Sequence, residues 1–593
     1  MTLQSLTSQD FASGMVRDVA PPLIDPRGAY DIRNMVLTED GALKRRGGAE
    51  DVTTSDFDES ANGCIFQWTG QTSVGLRTLV ASEDNFGVLD GTSITNLGGD
   101  GLANPVRPAY IAGLLFIPGG YIYAGSLKGG SYTTSGGNTY LTAGSKTVTD
   151  TSGGFTANVD EGMLLQRGNE RVYVVADVVS DTELTLRDAY AGSTTTSANP
   201  VFHNIYEITD ADPYEPSDHY CAAQNKLLWT DGEKVRATKD ILSGGPHTYS
   251  ATEDFIDLPD GVLAIGIAAI GAAALVFSTG GLWTLDGVGY DIASPTTGNV
   301  QWRLNKLSED IVLFGDAGIA YWEQLLVAPC LSGVFLIDGT SNPVKLSQNV
   351  EPLYTHYTDN SYRPGGAAVY KGHYLLPVMD DGNEVAETLV CRLDRAALDR
   401  RRKSGFPWTR FGGHGGEMRA FNVEVESDPR EPTLLGVDSR GRVCDCTYFF
   451  NPDANHTDEA DGTIHGWSIT TRDFTLDGMT LFTTRYLRLL YELSEGNIYA
   501  EWGDGEVAQG SPQWNHVQWN HFKWASADEV GFRALTRNGV ADIAPADRGR
   551  IPHRWRVGKE RRRIRFRLRG PDSATCTIRT LEVLTRPPAT RRK

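Results

Sequence analysis

A short recurring unit constrains the fold of this chain more than any other feature. The unit is an apolar run of four or five residues that ends at an aspartate, usually followed by glycine. An Asp-Gly pair favours a tight turn, because the aspartate bonds to its own backbone and glycine accepts a positive φ. The units end at Asp90, Asp231, Asp286, Asp338, Asp394 and Asp438, and Asp40-Gly41 stands 50 residues before the first of them.

The spacing of these units is regular. Successive steps from Asp231 onward are 55, 52, 56 and 44 residues, and only the step from Asp90 to Asp231 is long, at 141 residues. A period of roughly 40–55 residues with several short strands per unit is typical of β-propeller blades. We therefore predict an all-β chain built on a β-propeller of six to seven blades. The alternative is six unrelated hairpins at accidental spacing.

The long step contains an additional module, for which we predict the bounds 126–200. Turn-rich segments flank four strand-like runs at 141–148, 162–167, 171–179 and 183–186. Without about 80 residues, the step shortens to a normal blade interval. This pattern predicts a small β-domain inserted into a propeller loop, because loops accept insertions at low thermodynamic cost.

The sequence texture changes again after about residue 465. In the strand-like run 563–569, arginines alternate with apolar residues, so that Arg563, Arg565, Arg567 and Arg569 share one face. Such half-buried strands predict a C-terminal β-sandwich over 465–593. The remaining divisions are an N-terminal arm and first blade strand at 1–60, and propeller at 61–125 and 201–464. The one helix candidate is 394–403.

Charge is distributed unevenly along the chain. The net charge is -20, yet residues 551–593 hold 14 of the 55 basic and only 3 of the 75 acidic residues. An acidic body argues against tight nucleic-acid binding, but not against a surface along which DNA slides. The arginine face then has three interpretations: a solvated strand face, an interface with acidic neighbouring subunits, or a ring that contacts phosphates.

Two further features concern the cellular compartment. Seven cysteines cannot all pair, which predicts reduced thiols in a protein assembled in a cytoplasm. We expect no signal peptide at the N-terminus. The uncharged stretch 261–277 is rich in glycine and alanine and continues into a second apolar run. We interpret it as buried strands and not as a membrane span.

Several segments resemble a known family. The segment 34–48, Asn34-Met-Val-Leu-Thr-Glu-Asp-Gly-Ala-Leu-Lys-Arg-Arg-Gly-Gly48, resembles the "Asn…Gly-x-Leu-x-x-Arg-x-Gly" opening of bacteriophage tail nozzle and tail-stabilisation proteins. The run 262–285 is similar to a blade of those proteins, and the insert and the C-terminal section resemble theirs. The resemblance implies a homohexameric ring below a connector or adaptor, with a central channel for DNA exit. The basic C-terminus departs from the family pattern.

Motifs for chemistry are scarce. We find no Gly-x-Ser-x-Gly, His-Glu-x-x-His or phosphate-binding loop, and we predict no catalytic residue, cofactor or metal. The acidic loop 453–461 lacks the EF-hand register, and His516 and His521 alone do not make a metal site. The ladder of Trp514, Trp519 and Trp524 favours packing, with glycan stacking as the alternative.

The resulting functional hypothesis is a structural, non-enzymatic virion protein of a phage tail, assembled in the host bacterial cytoplasm. Its expected partners are itself, the connector or adaptor, other tail proteins and the passing genome, with no membrane-spanning segment. One alternative is a tail adhesin that binds the host surface. Another is a propeller glycosidase or depolymerase, which would need paired carboxylates in the central funnel.

Overall fold

The computed structural model describes most of the chain, and every statement below concerns the residues that it describes. They are residues 4–9, 11–19, 23–54, 56–57, 64–69, 76–99, 101–102, 105–134, 138–168, 170–208, 215–238, 255–288, 302–380, 385–393, 405–412, 418–424, 432–438, 441–450, 466–475, 482–493, 498–503, 533–534, 542–543, 553–561, 563–570 and 576–586.

The prediction of a nearly all-β chain is confirmed. In the described ranges only two α-helices occur, Phe155–Asn158 and Glu351–Asp359. Short 3-10 helices cover Asp316–Gly318, Ser347–Val350 and Thr447–Phe450. Strands in many small sheets account for the other regular structure.

Seven groups of four antiparallel strands follow one another along the chain, and we number them sheets 1 to 7. Sheet 1 is Cys64–Thr69, Leu76–Ala81, Phe86–Asp90 and Ser93–Gly98; sheet 2 is Ala109–Ile111, Leu114–Ile117, Tyr121–Tyr123 and Ile205–Glu207. Sheet 3 is Tyr220–Ala223, Lys226–Asp231, Lys234–Ala237 and Phe255–Asp257; sheet 4 is Ala264–Ile270, Ala273–Ser278, Gly281–Asp286 and Arg303–Ser308. Sheet 5 is Ala320–Trp322, Leu325–Cys330, Gly333–Ile337 and Val344–Lys345. Sheet 6 is Ala368–Tyr370, His373–Met379, Val385–Arg392 and Trp408–Phe411, with Arg363–Pro364 beside its second strand. Sheet 7 is Ala420–Glu424, Thr433–Val437, Val443–Asp445 and Glu50–Asp51.

Apolar clusters join each of these sheets to the next. Phe86 of sheet 1, for example, packs on Tyr121 of sheet 2, with 4.9 Å between the ring centroids. Similar clusters connect sheets 2 and 3, 3 and 4, 4 and 5, 5 and 6, and 6 and 7. Leu435 and Val437 of sheet 7 then pack with Ile65 and Val80 of sheet 1. The sheets therefore follow one another in a closed circle.

A strand from the start of the chain completes the last sheet of the circle. Glu50–Asp51 pairs antiparallel with Cys444 and Asp445, so sheet 7 is formed from residues nearly 400 positions apart. The guanidinium of Arg442 donates to Asp51 at 2.9 Å and also to Asp56. The N-terminal part of the chain thus supplies the fourth strand of sheet 7.

The Asp-turn repeat marks two different turns in these sheets. Asp90 and Asp286 end third strands and Asp338 follows one, whereas Asp231 ends a second strand and Asp438 follows one. The turns themselves are as predicted, since Gly91 and Gly232 have φ of 62° and 56°.

Sheet 2 lacks the repeat because the inserted module stands at its third turn. The module forms one eight-stranded sheet of Tyr132–Thr133, Thr139–Leu141, Thr147–Asp150, Leu164–Gln166, Tyr173–Ser180, Glu183–Leu186, Thr195–Ala198 and Val201–His203. It has a core of its own, formed around Phe155 and Phe202. Leu164, Val172 and Val174 also pack with residues of sheets 2 and 3.

Two more sheets enclose a separate core near the C-terminus. One contains Gln4–Gln9, Met35–Leu37, Leu43–Arg45, Phe482–Leu493, His553–Arg561 and Cys576–Arg586. The other contains Asp31–Arg33, Trp467–Thr470, Phe474–Thr475, Ile498–Gly503, Arg533–Ala534, Asp542–Ile543 and Arg563–Gly570. Their apolar side chains share one cluster. We call these two sheets the terminal unit; a two-stranded parallel sheet, Gly14–Met15 with Gly28–Ala29, lies between its N-terminal strands in sequence.

The remaining sequence expectations differ in their outcomes. The turn at Asp40-Gly41 joins two strands of the terminal unit and not two strands of the circle. The stretch 261–277 and the apolar run after it form three successive strands of sheet 4. All seven cysteines are buried, and none of them forms a disulfide. None of the helices in the described ranges is long and apolar enough to span a membrane. The helix candidate 394–403 lies outside the described residues.

The packing of the module allows a test of its independence. We expect that replacing residues 128–203 with a short Gly/Ser linker leaves a protein that unfolds cooperatively. The free energy of unfolding should fall by about 2–6 kcal/mol, because three apolar contacts to sheets 2 and 3 are lost. Urea unfolding followed by circular dichroism measures this change.

The matched control inserts the same linker at the exposed turn between Asp231 and Gly232, where glycine has open space around it. This control should unfold like the wild type. Insoluble material from the excision variant, with a soluble control, would show that the module completes the core of the circle.

Candidate functional site: the junction of the circle and the terminal unit

One three-residue strand belongs to both parts of the molecule. Asp31–Arg33 pairs in parallel with Trp408–Phe411 of sheet 6, where Arg33 faces Arg410. On its other side it pairs antiparallel with Trp467–Thr470 of the terminal unit. Sheet 6 and one terminal sheet therefore form a single 12-stranded sheet.

The residues next to this strand are the ones that carried the family resemblance. Asn34 is buried with φ of 56°, and its side-chain oxygen accepts from the Gly412 N–H at 2.9 Å. Its amide nitrogen donates to the Gly466 carbonyl at 3.2 Å, so one side chain bonds both parts. An asparagine is suited to this position because it tolerates a left-handed backbone and both donates and accepts.

Arg46, at the other end of the hairpin from Asn34, also contacts the circle. Its buried guanidinium lies over the rings of Phe411 and Phe449, at 5.5 and 5.1 Å from their centroids. It also donates from Nε to the Asn34 side chain at 3.3 Å. A Cβ on Gly47 would lie 2.1 Å from the Tyr448 carbonyl oxygen, so only glycine fits there. Asn34 and Arg46 of the family pattern thus make the contact between hairpin and circle, and Gly47, at a variable position of that pattern, permits the close approach.

A chain of charged side chains runs through the interior beside the joint. Arg410 donates to Glu387 at 2.9 Å and to Asp31 at 2.7 Å, which places this cation between two buried carboxylates. Asp31 also pairs with Arg17 at 3.1 Å. At the far end, the hydroxyl of Tyr357 donates to Glu387. This series of ion pairs and hydrogen bonds connects helix Glu351–Asp359, sheet 6 and the N-terminal segment.

The ionisation of these groups follows from their partners. Burial alone would raise the pKa of Asp31, but the charges and hydrogen bonds of Arg410 and Arg17 outweigh it and the pKa is lowered. Burial and the neighbouring Glu387 carboxylate raise the pKa of the Tyr357 hydroxyl, so it remains a donor. Asp31 is therefore ionised at neutral pH, and Tyr357 stays protonated.

The predicted arginine face divides into different environments. Arg565 is buried, donates to Asp473 at 2.7 Å and lies 4.9 Å from the Tyr30 ring centroid. It is thus an internal residue and takes no part in the surface. Arg567 and Arg569 contact Glu501 at 4.0 and 2.9 Å. The side chain of Arg563 lies outside the described residues.

Arg567 and Arg569 line a cleft with arginines from the joint. The cleft has a volume of about 910 Å³, and its arginines are Arg33, Arg410, Arg567 and Arg569. Its other lining residues are Asp31, Gly466, Trp467, Ser468, Thr470, Tyr499 and Gly570. We call it the arginine cleft. It lies on one face of the continuous sheet.

The remaining sequence candidates fall on segments that the structure does not describe. Trp514, Trp519 and Trp524, the histidines between them and the acidic loop 453–461 all lie outside the described residues. In the described part of the chain, no group of three or more His, Cys, Asp or Glu residues is arranged to hold a metal ion.

A second buried charge cluster lies where the first strands of the sheets begin. Asp316, before sheet 5, is 3.4 Å from Arg107 and 3.6 Å from His219, which precede sheets 2 and 3. Burial would raise the pKa of Asp316, but Arg107 and His219 lower it. A glycosidase needs a carboxylic acid with a raised pKa to protonate the leaving oxygen. Asp316 does not meet that requirement.

Sequence reasoning missed most of the junction residues. Arg17, Asp31, Glu387 and Arg410 come from three distant segments, and each resembles an ordinary surface charge in the sequence. A local signal existed only for Asn34 and Arg46, through the family pattern. The arginine alternation was a useful signal for two of the four cleft arginines.

Comparisons with known proteins provide little further guidance. No family model matches the chain, and no curated protein matches it. Among solved structures, an ancestral GH74 enzyme is 11% identical with a TM-score of 0.31, over 70% of this chain and 50% of that one. The chain thus spans about half the length of that structure. The Pan2 WD40 domain of Neurospora crassa is 8% identical with a TM-score of 0.29, over 67% and 88%.

The charged network predicts a pH-dependent stability. Asp31→Asn should lower the free energy of unfolding at neutral pH by about 3–5 kcal/mol, because Arg410 and Arg17 lose the buried carboxylate between them. The folded pKa of Asp31 lies below the unfolded value of 3.8, so its contribution is present above that pH. This contribution is lost as the pH falls through the folded pKa. The difference in the free energy of unfolding between wild type and Asp31→Asn should then become smaller. Urea unfolding over a pH series measures it.

The control for this test is Glu309→Gln, which removes the exposed partner of Lys306 in a 3.1 Å pair. Its effect should stay below about 1 kcal/mol at neutral pH, because exposed ion pairs contribute little. If the difference in the free energy of unfolding between wild type and Asp31→Asn stays constant at acidic pH, packing and not charge explains the effect of the substitution.

Proposed function

We propose that sheets 1 to 7 are the blades of a seven-bladed β-propeller, closed by the strand Glu50–Asp51. The proposal rests on the apolar clusters that connect consecutive sheets and join the seventh to the first. Four strands per sheet and closure by a distant strand are what a propeller requires to bury its edges. The terminal unit would be the C-terminal β-sandwich, completed by strands from residues 4–45.

We further propose that the chain is a structural subunit of a bacteriophage tail, in the nozzle or tail-tube hub below the connector. The observation that carries this proposal is the role of segment 34–48. It is the segment that resembles the tail nozzle proteins, and Asn34 and Arg46 within it bond the circle to the terminal unit. The resemblance therefore concerns residues with a specific structural task.

The continuous sheet supports a mechanical role. Forces between the two parts would act on hydrogen-bonded strands across Asp31–Arg33 and on a buried ion-pair chain. A flexible linker would transmit little of that load. A subunit that guides a genome under pressure needs this kind of connection, and its acidic body would not retain the passing DNA.

A non-catalytic role agrees with how the buried ionisable groups are used. Asp31 and Asp316 are each ion-paired to arginine and have a lowered pKa, so neither is held as a protonated acid. Burial raises the pKa of the Cys64 and Cys221 thiols to about 12, which makes both poor nucleophiles. Buried free thiols also suit assembly in a reducing host cytoplasm before the chain becomes part of the virion.

The proposal predicts a homohexameric ring. In mass photometry, the chain of 64.7 kDa should form a species of six times that mass, alone or after the connector protein is added. Class averages from electron microscopy should show a ring with a central channel. Because templated assembly is common in tails, the mixture with connector is the decisive arm. A strict monomer in both conditions would refute the nozzle role.

A further inference from the structure

The arginine cleft contains more hydrogen-bond donors and positive charge than its own residues satisfy. Four arginines line it, against the single carboxylate of Asp31, which already pairs with Arg17 and Arg410. Arg33 is exposed, and no described carboxylate lies within ion-pair distance of it. Glu501, just outside the lining, is shared between Arg567 and Arg569. Glu387 also pairs with Arg410, so three carboxylates stand against the four cleft arginines and Arg17, and the cleft keeps an excess of positive charge.

Two buried hydrogen-bond donors at the cleft also lack an acceptor among the described residues. Trp467 is 1% exposed, and its indole N–H has no hydrogen-bond partner among the described residues. The Nε of Arg410 is buried and also without one. A buried donor without an acceptor is costly, and most such groups in proteins are satisfied by some partner. Both residues line the cleft, so a hydrogen-bond acceptor bound there would satisfy their N–H groups.

The strand register places the arginines where one ligand can reach several of them. Arg33 stands opposite Arg410 on one side and opposite Ser468 on the other, and Ser468 stands opposite Arg569. Directly opposed residues share a face, so these four form one row across the sheet. Neighbouring strands are about 4.8 Å apart, so the backbones of Arg33 and Arg569 are about 10 Å apart. Long arginine side chains can converge over that distance.

We propose that the arginine cleft is a binding site for an oxyanion, a carboxylate or phosphate group, held by Arg33 and Arg569 with Arg410 and Arg567 beside them. Planar guanidinium groups bind such anions through paired hydrogen bonds. The anion could come from a free small molecule or from acidic side chains of a second copy of this chain, whose net charge of -20 provides many. The site does not depend on the proposed tail function.

The test titrates the purified full chain with citrate and with inorganic phosphate at constant ionic strength, using isothermal titration calorimetry. Constant ionic strength is essential because salt screens exposed charges. We expect saturable binding of at least one anion by the wild type. The variant Arg33→Gln/Arg569→Gln should bind at least about tenfold more weakly, since it loses two charge-assisted contacts. Neither side chain is buried, so the variant should fold, which circular dichroism verifies.

The matched control is Arg303→Gln, which removes an exposed arginine from the last strand of sheet 4, far from the cleft residues in sequence. It should bind the anion like the wild type. Absence of saturable binding to both anions, or equal binding by the double variant, would overturn the proposal. Equal loss in the control would also overturn it, because the binding would then reflect net charge alone.

A second arm identifies the source of the anion. Sedimentation velocity of wild type and double variant is recorded with and without citrate. Self-association that citrate and the double substitution both abolish would assign the cleft to carboxylates of a second copy. Citrate or phosphate binding without any such change in self-association would assign it to a free anion.

Discussion

The structure depends on one ion-paired strand. Asp31–Arg33 pairs with a strand on each side, and ion pairs of Asp31 with Arg410 and Arg17 hold it in place. Without that strand, sheet 6 would end at Trp408–Phe411, and Trp467–Thr470 of the terminal unit would lose its neighbouring strand. Burying these charges is costly, but each has a partner of opposite sign, so the arrangement specifies one geometry and rejects others.

Much of the fold could be predicted because turns, and the alternation of apolar and polar residues along strands, are local features of the sequence. Asp-Gly turns, short apolar strands and the inserted module are each encoded within a few residues, and the structure contains strands in most of these places. The predicted strand-like run 141–148 is an exception, because a turn there separates Thr139–Leu141 from Thr147–Asp150. What the sequence did not predict is non-local pairing. Glu50–Asp51 completes a sheet with Cys444 and Asp445, and Gln4–Gln9 pairs with the last strand of the chain. No local pattern specifies a partner at such a distance.

The candidate site was predictable only in part, for the same reason. The alternation in 563–569 identifies Arg567 and Arg569, which line the cleft, yet Arg565 is buried because Asp473, 92 residues earlier, neutralises it. Arg33 and Arg410 join the cleft only because their strands become neighbours. The Asn34–Gly48 pattern was informative because it combines a positive φ, a buried arginine and a close backbone approach within one hairpin.

We infer that this strand makes the circle and the terminal unit one cooperative structure. Native-state hydrogen exchange in low urea tests it directly on the amides of Trp408–Phe411, Asp31–Arg33 and Trp467–Thr470. We predict that all three strands exchange through the same unfolding reaction, with one free energy and one dependence on urea. If Trp467–Thr470 exchanges at a clearly lower free energy than Trp408–Phe411, the two parts unfold separately and the claim is wrong.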